Sequence, residues 1–100
     1  MGIECICEVE GSGSFASAVT AALREDERLV VLAETEGVIS LRFTPSGPRA
    51  GWSEDAVIHV RERSVFITVH TARASHCDVV VQLVERAIRG SGCSVRTTEV

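Results

Sequence analysis

The sequence predicts an α+β two-layer sandwich, a mostly antiparallel six-stranded sheet with two helices on one face, in the order β-α-β-β-β-β-α-β. Three observations predict it. Six short segments alternate or run apolar in the manner of strands, and two longer ones carry apolar residues at helical spacing. Two turns are so short that the strands they join must be antiparallel neighbours. The chain has 100 residues, of which 45% are hydrophobic and 24% charged. That suits a single domain, 1–100, with one modest core and neither a staple nor a metal.

Residues 3–9 alternate cleanly, with Ile3, Cys5, Cys7 and Val9 inward and Glu4, Ile6, Glu8 and Glu10 outward. Gly11-Ser12-Gly13 ends the strand, and Ser14 is the expected N-cap of a first helix. Phe15, Ala18, Val19, Ala22 and Leu23 form its apolar face. Residues 29–35 and 38–43 are strands joined by Glu36-Gly37, where Gly supplies the positive φ of a tight hairpin. An unbroken ladder from that turn points Val30 and Leu32 inward with Phe43 and Leu41 and leaves Val31 on the other face beside Arg42. Residues 44–55, with two Pro, two Gly and two Ser, are a long central loop joining two halves.

A second hairpin, 56–61 and 65–70 around Glu62-Arg63, pairs Val60 with Val65 and Ile58 with Ile67. Its other side carries Val57, His59, Arg61, Phe66, Thr68 and His70. Ser75 is the expected cap of a second helix, with Asp78 completing an approximate capping box. Cys77, Val80, Val81, Val84, Ala87 and Ile88 are its buried stripe, and Gly90 occupies the expected glycine stop. Residues 93–98 are the last strand. The whole is close to a ferredoxin-like arrangement with an inserted hairpin. The first crossover is long enough to make strands one and two parallel neighbours.

Net charge is −4 with neutral His, which argues against nucleic acid as a partner. The charge is polarised. Residues 1–36 hold eight acids against Arg24 and Arg28, while residues 37–100 hold six acids and eight Arg. No run approaches the roughly 20 apolar residues of a membrane span, and no signal peptide is legible, so a cytoplasmic protein with reduced thiols is expected.

Catalytic signals are weak. Gly11-x-Gly13-x-x-Ala16 formally matches a dinucleotide fingerprint, but an antiparallel hairpin follows where another βαβ unit is needed, and Glu8 and Glu10 would repel a phosphate. Cys5, Cys7, Cys77 and Cys93 show no Cys-x-x-Cys spacing, so neither metal nor cofactor is expected. Cys77 falls on an apolar stripe without a positioned base, so the chain reads as a non-enzyme. His59, His70, His76 and Cys77 are the residues that a small-molecule-binding or enzymatic alternative would use.

The most informative cluster is Glu4, Ile6, Glu8 and Glu10, an apolar residue framed by acids. It suits a basic partner, steered by charge and held by apolar contact. Glu34 and Glu36 extend the acidic pole, and Trp52 is a candidate anchor in the central loop. In size, acidic balance and lack of a catalytic motif the chain resembles small bacterial immunity or antitoxin-type inhibitors. That resemblance implies a protein-binding module that neutralises a basic toxin such as a nuclease. The competing expectation is a homodimer or other homo-oligomer packed through the open sheet face at Val31, Val57, Phe66 and Thr68.

Overall fold

The computed structural model describes residues 2–44, 54–70 and 74–100. Among these residues six strands and two helices follow in the expected order: β1 (Ile3–Glu10), α1 (Ala16–Glu25), β2 (Leu29–Thr35), β3 (Val38–Phe43), β4 (Ala56–Val60), β5 (Ser64–Val69), α2 (Ala74–Gly90) and β6 (Ser94–Glu99). The strands form one antiparallel sheet ordered β2-β3-β4-β5-β1-β6. β1 and β2 therefore run in the same direction but are not neighbours, because β3, β4 and β5 lie between them. Strands β2–β5 form an antiparallel meander, and β1 pairs with the far edge of β5. The topology is thus the ferredoxin-like one with an extra hairpin inside.

Both helices pack on one face and touch each other, α1 over β2 and α2 over β1, β5 and β6. Between the helices and the sheet lies a core to which every strand contributes: Cys5, Cys7 and Val9 from β1, Leu29 from β2, Ile39, Leu41 and Phe43 from β3, Ala56 and Ile58 from β4, Val65, Ile67 and Val69 from β5, with the partly buried Val95 of β6 packed against it. Phe15, Val19 and Leu23 close it from α1's side, and Val80, Val84 and Ile88 from α2. Among the described residues no polar or charged side chain is buried.

Four local expectations need correction. Ser14 does not cap α1: Phe15 holds the N-cap position, with no side-chain cap bond, because its ring is buried in the core and fixes where the helix starts. Ser75 lies inside α2, which already runs at Ala74, so neither Ser75 nor Asp78 forms the predicted box. Gly90 is still helical. The glycine stop is Gly92, at φ 84, with Gly92 N–H donating to the Arg89 carbonyl at 3.0 Å and Cys93 N–H to that of Ile88 at 3.3 Å. That pair of bonds is a Schellman closure two residues later than expected, and it leaves Cys93 buried in the core.

The fourth correction changes a face. Glu36 and Gly37 do make the tight turn, with φ 51 and 80. A bulge between Val31 and Ala33 then shifts the β2–β3 ladder, so that Leu29 faces Phe43 and Val31 faces Leu41. The extra residue reverses the parity of everything before it. Val31 packs against the core, Val30 lies opposite Arg42 on the other face, and Leu32, at the bulge, is 41% exposed. The second hairpin keeps its predicted register, with Val60 opposite Val65 and Ile58 opposite Ile67.

Candidate protein-binding face

Opposed residues in an antiparallel ladder point to the same side, so the register defines the face the helices leave uncovered. β1 lies between β5 and β6, with its outward residues Glu4, Ile6, Glu8 and Glu10 as the sequence pattern required. Ile6 stands opposite Phe66 on one side and Thr98 on the other. Phe66 in turn faces His59, which faces Val38. This gives a cross-strand row, Thr98–Ile6–Phe66–His59–Val38, apolar through most of its length. A parallel row starts at Glu4 and passes through Thr68 and Val57 to Ser40. Ile6, Val57, His59 and Phe66 are half-buried by their neighbours alone.

The carboxylates border the apolar row along β1. Glu4, Glu8 and Glu10 are exposed, and Glu8 accepts a hydrogen bond from Arg96 Nη2 at 3.0 Å across the β1–β6 ladder. Residues two apart on a strand are about 7 Å apart, where two charges in water repel by about 0.6 kcal/mol. The stripe is therefore cheap to hold in solution and strengthens when a cation approaches from a low-dielectric side.

The other predicted site residues do not join this cluster. Glu34 faces Ile39, on the helix side, and pairs with Arg24 of α1. These two residues line an open groove of about 640 Å³ between α1 and the β2–β3 and β4–β5 turns. Glu36 occupies the β2–β3 turn, four strands away from β1. Trp52 and most of the central loop lie outside the described residues. Val31, expected on the open face, is on the covered one, and Val30, 43% exposed, replaces it. Phe66 was legible as an open-face residue. Its contact with Ile6 was not, nor was the contribution of Arg96 and Thr98, because nothing local in the sequence states that β1 pairs with β5 and β6.

The His and Cys residues are divided by the sheet. His59 lies on the open face. His76 stacks on the core-facing ring of Phe43, centroids 4.3 Å apart, so it belongs to the covered side with Cys77. Burial pushes the Cys77 thiol up from its ordinary 9.0 to about 12, the opposite of an activated nucleophile. Among the described residues no group of three or more His, Cys, Asp or Glu is arranged to hold a metal ion. Gly13 is explained by packing: a side chain there would collide with the Ser91 carbonyl oxygen, where the β1–α1 turn meets the α2–β6 corner. Among the described residues no helix is long and apolar enough to cross a membrane. Comparisons with family models, curated proteins and solved structures gave no match.

Proposed function

We propose that the chain is a non-enzymatic protein-binding module, and specifically a small cytoplasmic inhibitor of the bacterial immunity or antitoxin type that neutralises a basic toxin such as a nuclease. The observation that carries the reading is the uncovered sheet face, where an apolar row centred on Ile6 and Phe66 runs alongside the exposed carboxylates of Glu4, Glu8 and Glu10. Charge steers a cationic partner to β1, and the apolar row supplies the contact that holds it. A nuclease site evolved to grip phosphates accepts carboxylates at similar spacing. The Glu8–Arg96 pair does not block this, since both side chains are more than half exposed and such pairs contribute roughly 0–1 kcal/mol. Glu8 is readily exchanged to a partner's cation.

Calorimetric titration against the product of the adjacent gene tests the proposal. The expected result is a complex that weakens at high salt and loses at least about tenfold in affinity, some 1.4 kcal/mol, with Glu8→Lys or Glu10→Lys. No complex, or one indifferent to both substitutions, overturns it.

A second copy of the chain is the competing occupant, favoured by Val57, Phe66 and Thr68 sharing the face with Val30. Sedimentation at micromolar concentration separates the two: a monomer removes the homodimer, and a dimer disrupted by Phe66→Glu removes the free inhibitor face.

A further inference from the structure

The inward side of β1 holds two of the four cysteines, and one of them has a sulfur neighbour. Cys5 Sγ lies 3.8 Å from Cys77 Sγ, which enters from the beginning of α2. Both residues are buried, each 6% exposed. The other two thiols are engaged elsewhere. The Thr97 hydroxyl donates to Cys7 Sγ at 3.4 Å, and the Cys93 thiol donates to the Gly13 carbonyl, also at 3.4 Å.

We propose that Cys5 and Cys77 are an oxidative modification site: a dithiol that closes to a disulfide and ties the start of α2 to β1. The sulfurs are already in van der Waals contact, and a bond of about 2.05 Å requires an approach of less than about 2 Å. The chemistry balances with a peroxide as oxidant. One thiolate takes an oxygen atom from hydrogen peroxide, becoming a sulfenic acid and releasing water. The second thiol attacks that sulfur, the S–O bond breaks, and a second water leaves. Two thiols have then lost two electrons and two protons.

Burial sets the rate. The same desolvation that pushes the Cys77 thiol up keeps thiolate scarce, so closure at neutral pH is slow. Once formed, the bond is shielded from soluble reductants. This is a latch and not a fast sensor. Its loop spans residues 5–77, most of the chain, so it restrains the unfolded state strongly. It lies on the helix side of the sheet, on the opposite side of β1 from the binding face.

The test uses the full chain, treated with hydrogen peroxide or left reduced, denatured, blocked with N-ethylmaleimide and digested at arginine. Cys5 and Cys7 share peptide 1–24, Cys77 lies in 74–86 and Cys93 in 90–96. Alkylatable thiols are expected to fall from four to two, with 1–24 cross-linked to 74–86. The cross-link persists in Cys7→Ser and disappears in Cys77→Ser. Oxidation raises the melting temperature of the parent and of Cys7→Ser but not of Cys77→Ser. Four free thiols after oxidation, a link through Cys7 or Cys93, a link between two chains, or a cross-link that leaves the melting temperature unchanged each overturns the proposal.

Discussion

On the helix side of the sheet Cys7, Ile58 and Ile67 retain essentially no accessible surface, whereas Ile6, Val57 and Phe66, their immediate neighbours on the same strands, keep part of theirs. Both sets are apolar. β4, reading Ala-Val-Ile-His-Val, scarcely alternates at all. Residue type in the middle of the sheet therefore does not decide which side is covered. The decision comes from the periphery: the apolar stripes of α1 and α2 fit one side, and the carboxylates of β1 exclude a helix from the other. One face is a core, and the other is a surface with core-like composition at its centre and charge along β1.

That contrast predicts unequal costs for neighbouring truncations. Ile58→Ala empties a fully buried site and is expected to cost about 2–5 kcal/mol. Val57→Ala, one residue away and half-buried, is expected to cost about 1 kcal/mol. Urea unfolding of both variants, read as a shift in midpoint at constant slope, measures the gap. Equal losses would show that the open face is already covered in solution.

The same contrast can be tested on β2, where the bulge assigns the faces. Val31→Asp places a carboxylate against the core and is expected to destabilise by about 2–3 kcal/mol. Val30→Asp, on the exposed face, is expected to cost no more than about 1 kcal/mol. The reverse order in thermal or urea melts would mean that β2 runs as an unbroken ladder.

How much of this was legible in the sequence follows from the range of the interactions involved. β1's two faces, the Glu36-Gly37 turn and the pairing within β4–β5 are set by residues close together in the chain, and each is found where the pattern places it. The β2 bulge has no such signature: no Gly or Pro marks Leu32, and the shifted register is what sets Leu29 and Val31 against the core. The partners of β1 are chosen by long-range packing, so Arg96 and Thr98 entered the candidate site only with the sheet order. Glu34 was grouped with the β1 acids by charge, and its side of the sheet separates it from them. Gly90 and Gly92 are both plausible stops, and the burial of Cys93 selects the second.

The smallest expected effect concerns how the covered side is fastened to the sheet's edge. α1 ends at Asp26, whose carboxylate accepts three hydrogen bonds from Arg28: backbone N–H at 2.9 Å, Nε at 2.9 Å and Nη2 at 2.7 Å. The open face's counterpart, Glu8 with Arg96, is a single bond between side chains alone. The Arg28 fork holds the Asp26 carboxyl down from its ordinary 3.8 to about 2. A carboxylate that ionises more easily in the folded state contributes stability above its unfolded value. That contribution is fully present above about pH 4, declines as pH falls below it, and is gone once pH passes through about 2. The Arg28 side chain is 57% exposed and solvent screens the pair, so the expected contribution is small. Asp26→Asn should melt slightly below the parent at pH 7, and the difference should shrink towards zero as pH falls through about 2. A difference that persists at pH 2 would mean that the fork acts through turn geometry, which Asn cannot reproduce, and not through charge.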